Sequence, residues 1–194
     1  MRFIERFPQA SKPLFLTLVE DKELPPEYDD CAMNFSLITE CGENVAAGRC
    51  SIYKESGGSE YMLISAIYVE GNDNSPTKNN PNKYSGLGQL LVFAAIKFGF
   101  EQGVATTILS PLDGSEGFYL KMGFYPKVTG SPNRMGDVCS STRFSGGKLN
   151  PIWLNKFAKA SFLNESFRGA TWAGSNDLIY PKLKENVLRS WSIV

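Results

Sequence analysis

From Ser85 to Gln102 apolar residues cover most of the circumference of a helix. Leu87, Leu91, Ala94 and Phe98 form one stripe, and Phe93, Ile96 and Phe100 form another. A helix with so little polar surface has no face for water and must be packed on more than one side. The rest of the chain therefore has to supply at least two packing surfaces for it. Gly103 follows the last apolar turn and is the natural stop.

The preceding residues supply one such surface. Ala32 to Glu40 alternates polar and apolar residues, and Cys41-Gly42-Glu43-Asn44 is a turn. Val45 to Tyr53 is a second strand run, interrupted by Gly48, and Glu55 to Ser59 is another turn. Tyr61 to Val69 is a third run with almost no polar residue. The pattern predicts sequential antiparallel strands, the last of them deepest and apolar on both faces. Nearer the start, Arg2 to Phe7 reads as a short strand. Leu14 to Val19 suits either a strand or a short helix capped by Ser11. The polar insertion Gly71 to Asn82 can form no core and reads as a surface loop.

Beyond the apolar helix, Val104 to Leu109 reads as a strand. Asp113-Gly114-Ser115-Glu116 has the form of an N-cap with a Glu three residues on, opening a short helix through Lys121. Gly123 stops that helix and Phe124-Tyr125 enters a strand. Lys127 to Asn150 is rich in Gly, Ser, Pro and Asn, with Val138 to Phe144 as a candidate final strand. Asn150-Pro151 suits the start of a helix carrying Trp153, Phe157 and Ala160. Pro181 suits the start of a last helix, with Leu183, Val187, Leu188 and Trp191 on one side.

Composition narrows the chemistry. The chain has 194 residues, enough for one sizeable domain, and 0 His. Ser-His-Asp catalysis, Cys-His catalysis and imidazole metal sites are thereby excluded. The 4 cysteines, Cys31, Cys41, Cys50 and Cys139, have no C-x-x-C spacing and no disulfide-framework density, so no metal is expected. They read as reduced thiols of a cytosolic protein, and the localisation expected is cytoplasmic. Lys plus Arg is 20 and Asp plus Glu is 20, which gives no global attraction for nucleic acid or an acidic membrane. No apolar run has the length of a membrane span.

The junction Lys83-Tyr84-Ser85-Gly86-Leu87-Gly88 lies between the polar insertion and the apolar helix. The first amides of a helix have no intrahelical acceptor, and the helix dipole is positive there. Glycines at that point let a phosphate or pyrophosphate approach the amides. Taken alone, two glycines at a helix start are better explained by a tight turn. No G-x-x-x-x-G-K-[ST] is present, so there is no P-loop, and the order of strands does not suit a Rossmann site.

Lys83 to Gly88 resembles the acyl-CoA motif Q/R-x-x-G-x-G/A of the GNAT acetyltransferases. Gly117-Phe118-Tyr119-Leu120-Lys121-Met122-Gly123-Phe124 resembles that family's later motif, a short helix ending in Tyr and running into Gly-Phe. The two lie in the family's order on either side of a strand, and the resemblance covers about Val45 to Phe124. It favours the phosphate-binding reading of the glycines. Three departures stand out: Lys83 replaces Gln or Arg, the insertion Gly71–Asn82 is long, and Asp113 stands near a position where the family often has Asn.

The resemblance implies an α/β fold with a mixed, mostly antiparallel sheet splayed between its fourth and fifth strands and flanked by helices. Residues 1–145 would form the GNAT-like acyl-CoA-binding domain. The last fifty residues fall outside the resemblance; their own pattern makes residues 146–194 a helical C-terminal extension packed on that domain, covering the sheet, building the acceptor pocket or making a homodimer contact. The cosubstrate implied is acetyl-CoA or another acyl-CoA, held by Val69, Lys83, Tyr84, Ser85, Gly86, Leu87, Gly88 and Asp113. The activity implied is direct N-acetyl transfer to a small-molecule or peptide amine. A backbone N–H near Val69 or Glu70 would meet the oxyanion, and Tyr119 would donate a proton or a hydrogen bond to the thiolate. Glu70 leads as general base, with Glu60, Glu116 or a water chain as alternatives. Tyr61 and Tyr68 either line the acceptor side or pack. A GNAT-like module that binds acyl-CoA or a protein without catalysis is the alternative function.

Overall fold

The apolar helix is enclosed from several directions at once. The structure is a computed structural model of the 194-residue chain. It describes residues 1–8, 14–23, 31–54, 58, 60–69, 86–112, 115–126, 144–145, 148–149 and 171–194. The strands are β1 (Arg2–Glu5), β2 (Phe15–Glu23), β3 (Cys31–Thr39), β4 (Asn44–Lys54), β5 (Glu60–Val69), β6 (Thr106–Leu109), β7 (Tyr125–Pro126), β8 (Phe144–Ser145), β9 (Lys148–Leu149), β10 (Trp172–Ser175) and β11 (Trp191–Ile193). The described helices are α1 (Leu87–Glu101), α2 (Glu116–Met122) and α3 (Asn176–Ser190). None is long and apolar enough to cross a membrane.

α1 packs against β3, β4 and β5 on one side and against α3 on another. Gly48 lets it come close, because a Cβ there would sit 3.9 Å from the Leu91 Cβ and only 3.2 Å from the Ala66 carbonyl oxygen. Phe93 meets Phe3 of β1 edge-on with ring centroids 6.5 Å apart and stacks on Tyr180 of α3 at 6.0 Å. The sheet thus curls toward the helix, and α3 runs beside it. α1 ends in a Schellman arrangement: Gly103, at φ 76, donates its N–H to Phe100, and Val104 donates to Gly99.

The main sheet has nine strands in the order β11-β1-β2-β3-β4-β5-β6-β10-β7. Among the described strands every pairing is antiparallel except β5 with β6. That parallel pair begins at Tyr61 opposite Thr106 and its last rung is Ile64 opposite Leu109. β5 continues to Val69 with β4 still beside it, but with no strand of the described residues on its other edge. The sheet therefore parts along Ser65 to Val69; it is the mixed, mostly antiparallel and splayed sheet expected from the sequence, with the parting between the fifth and sixth strands because the N-terminus supplies one strand more than that numbering allowed.

β5 corrects one detail. Its register with β4 jumps from Cys50 opposite Ile64 to Arg49 opposite Ala66, so Ser65 is the extra residue of a bulge. The bulge reverses the phase of the strand. Met62 and Ile64 are buried before it; after it Ser65, Ala66 and Tyr68 are exposed while Ile67 and Val69 pack toward the core. The core-facing set shifts at Ser65, and Ala66 and Tyr68 on the other face are exposed, so the run is not buried on both faces throughout.

The C-terminal part differs more. The segment expected to add helices supplies two sheet strands as well as α3: β10 lies between β6 and β7, and β11 pairs with β1. The last helix opens at Asn176, not at Pro181, and Trp191 belongs to β11, not to that helix. Ser175 is its N-cap, so Pro181 falls inside the helix. Proline removes one intrahelical hydrogen bond there. Asp177, whose carbonyl loses that bond, and Pro181 are both exposed, so water can take it up. Ile179, Leu183 and Val187 bury the opposite side. Arg2 to Glu5 is the expected strand, and Phe15 to Glu23 settles the early ambiguity in favour of a strand. The helix expected after Pro151, the loop Gly71–Asn82 and most of Val138–Phe144 lie outside the described residues.

Asn176 is fully buried and joins three elements. Its Oδ1 accepts from the Thr107 hydroxyl at 2.6 Å, its Nδ2 donates to the Val104 carbonyl at 2.7 Å, and its backbone N–H donates to Ala105 at 2.9 Å. Asn176→Ala removes both side-chain bonds and leaves two buried groups without them. It is expected to lower the unfolding free energy by about 2–4 kcal/mol. Urea unfolding monitored by circular dichroism would show the shift in midpoint, and an unchanged midpoint would contradict the role assigned to Asn176.

Candidate functional site

Beyond the Ile64–Leu109 rung, alternate N–H and C=O groups of Ser65 to Val69 along that edge have no strand partner among the described residues. α1 begins at the same end. Its N-cap is Gly86 at φ 83 and ψ −2, a left-handed conformation that suits glycine. With no side chain there, no side-chain cap reaches the first amides, and the first turn carries no acidic residue. The Gly86 carbonyl accepts from Gln89 and Leu90, so the amides of Leu87 and Gly88 are the ones left over. The Leu87 side chain is 1% exposed and belongs to the core, which leaves its backbone as the part that can serve a ligand.

Gly88 ties the corner together. A Cβ there would lie 3.2 Å from Phe118 Cζ and 3.7 Å from Val69 Cγ2. The missing side chain is thus filled by α2 and the end of β5. The sequence suggested phosphate approach or a tight turn for this glycine; its structural neighbours are Phe118 and Val69.

Tyr119 follows on α2. Its ring meets Phe118 edge-on at 5.0 Å and Phe124 edge-on at 6.1 Å. α2 closes with Gly123 at φ 107, and the Phe124 N–H donates to the Tyr119 carbonyl at 3.1 Å. Backbone and ring are therefore both held. Burial raises the Tyr119 phenol above its ordinary value of about 10, so it stays protonated at neutral pH and keeps an O–H to donate. α2 begins with Ser115 as N-cap, not Asp113, and the Ser115 hydroxyl donates to the Leu112 carbonyl at 2.7 Å.

The structure thus brings Val69, Gly86, Leu87 and Gly88 to one end of the sheet, with Phe118 and Tyr119 joined to them through Gly88. Glu70, Lys83, Tyr84, Ser85 and Asp113 lie outside the described residues, as does the Glu116 side chain. Glu60 opens β5 at the far end, about 30 Å along the strand from Val69. It pairs there with Lys54 at 3.4 Å, which removes it as a base for this corner. Tyr61 is also at that end, stacked on Tyr53 at 5.5 Å, and is a packing residue. Tyr68 is next to Val69 and 60% exposed.

One neighbour had no signal in the sequence. The indole nitrogen of Trp191 is the nearest atom to a Cβ built at Gly86, at 3.8 Å. The two residues are brought together by α3 running antiparallel to α1, with Asn176 beside Gly99 at one end and Trp191 beside Gly86 at the other.

No family profile matches the chain, and no curated protein matches its sequence. Among solved structures it is similar to the NatC complex bound to Gag peptide and CoA, with 14% identity, a TM-score of 0.41, and 49% of this chain and 58% of that chain covered. It is similar to an acetyltransferase of the GNAT family from Staphylococcus aureus Mu50, with 15% identity, a TM-score of 0.41, and 75% and 68% covered. It is also similar to Tetrahymena GCN5, with 10% identity, a TM-score of 0.43, and 77% and 69% covered. These are distant likenesses of chain path, and the match to NatC spans 58% of that partner's length.

Gly86→Ala places a Cβ in a left-handed conformation without steric contact below 3.8 Å. Backbone strain should then be its main effect, a loss of about 1 kcal/mol. Chemical denaturation of the variant beside the parent measures it, and a stabilised variant would show that Gly86 does not hold the left-handed turn.

Proposed function

We propose that the chain is an N-acyltransferase of the GNAT type, moving an acetyl group from acetyl-CoA to an amine. The observation that supports this best is a coincidence of place. The sheet opens beyond the Ile64–Leu109 rung at the end where α1 offers uncapped amides, and Gly88 ties that end to the helix carrying Tyr119. A phosphate group suits the uncapped helix start. An elongated thiol ester suits a slot lined by strand backbone.

In this reading the amine attacks the thioester carbon directly. A C–N bond forms, the carbonyl oxygen becomes an oxyanion, and a free N–H of β5 near Val69 or Glu70 stabilises it. The C–S bond then breaks and the thiolate leaves. An ordinary thiol has a pKa of about 8.5, below that of a tyrosine held above 10, so Tyr119 serves best as a hydrogen-bond donor that steadies the charge growing on sulfur while keeping its own proton. The proton lost by the amine passes to a base, for which Glu70 remains the candidate. The acceptor is a small molecule or a peptide, and the exposed ring of Tyr68 borders its approach.

Tyr119→Phe keeps the ring contacts with Phe118 and Phe124 and removes only the hydroxyl. The turnover rate should fall by roughly 10²-fold, with little change in acetyl-CoA affinity. The loss should shrink for a donor with a more acidic thiol. Steady-state kinetics with calorimetric binding checks this. Normal turnover would remove Tyr119 from the mechanism. Acetyl-CoA binding without turnover on any amine would favour an acyl-CoA-binding module instead.

A further inference from the structure

We infer that the indole N–H of Trp191 is a further phosphate donor at the start of α1, so that β11 takes part in holding a diphosphate there. The identity of the ligand as CoA rests on the function proposed above; its chemistry, an anion with several acceptor oxygens, rests on the donors themselves.

Trp191 is 5% exposed and firmly held. Its backbone N–H donates to the Val187 carbonyl at the end of α3, it pairs with Glu5 of β1, and its ring meets Phe3 edge-on at 6.5 Å. The indole nitrogen faces Gly86, 3.8 Å from where a Cβ would stand. An indole nitrogen can only donate. Among the described residues it has no hydrogen-bond acceptor. The neighbouring amides of Leu87 and Gly88 also lack acceptors within the helix, and the first turn of α1 has no carboxylate to serve them. Donors from two separate elements thus lie beside Gly86 with no acceptor between them among the described residues. A diphosphate has enough oxygens to accept from the helix amides and the indole together, and its charge complements the helix dipole.

The test compares the parent with Trp191→Phe, which keeps an aromatic ring against Phe3. Both are titrated with CoA, inorganic pyrophosphate and acetylpantetheine, which has no phosphate. Affinity for CoA and pyrophosphate should fall roughly tenfold, and affinity for acetylpantetheine should stay the same. Unchanged binding of CoA and pyrophosphate would overturn the inference, as would an equal loss for all three ligands, since that reports a distorted site. If the parent takes pyrophosphate but not CoA, and Trp191→Phe loses it, the donor stands and the transferase function falls. A second measurement avoids dependence on how the variant folds. In the isotope-labelled parent, the Trp191 indole N–H resonance should move on adding pyrophosphate while that of Trp172 stays; a fixed Trp191 resonance would overturn the inference.

Discussion

Burial of α1 is the constraint on which the rest of the structure depends. A helix with Leu87, Leu90 to Ile96 and Phe98 all buried cannot rest on one flat sheet. β3 to β5 cover part of it, α3 covers another part, and the curl of the sheet brings Phe3 to Phe93 from a third direction. Once α3 lies antiparallel to α1, both ends of the pair are determined. Asn176 meets the C-terminal end of α1, and Trp191 meets its start. The packing of one helix thereby decides which residues surround the uncapped amides at its N-terminus.

The sheet parts because the parallel pairing of β5 and β6 is brief. β6 has only Thr106 to Leu109, whereas β5 runs on to Val69. Among the described residues the longer strand is left with one unpaired edge, and the bulge at Ser65 turns Val69 inward at the level of Gly88 and Phe118. Bulge, opening and helix start are thus parts of a single arrangement. Tyr119 is held next to it by the ring of Phe118, the ring of Phe124 and the glycine turn at Gly123.

Local signals carried far along this chain where they did not depend on distant partners. The three strand runs from Ala32 to Val69, the apolar helix and its stop at Gly103, and the short helix ending at Gly123 are all encoded by patterns of a few residues. The bulge at Ser65 was hidden, because a phase change within an apolar run looks like continuous burial. Trp172 to Ser175 is too short and small-residue-rich to announce a strand, and gains its place only between β6 and β7. Pro181 misled for a similar reason: proline marks a helix start locally, but the buried bonds of Asn176 place the start five residues earlier. The glycines at 86 and 88 and the Tyr119 motif could be found by resemblance, while Trp191 lies more than a hundred residues from Gly86 in sequence and meets it only through α3.

The strand order bears on how the chain reaches this structure. β10 separates β6 from β7, and β11 forms the opposite border of the sheet, so residues 172–193 finish both flanks. During synthesis β1 to β5 and α1 can associate early, but among the described strands β7 has no neighbour to pair with until β10 arrives. Contacts between such distant segments form slowly, and apolar surface stays uncovered in the meantime. A nascent chain would hold most of its core residues and still lack closure, which makes the interval before the last helix emerges the period of greatest exposure to chaperones and to aggregation.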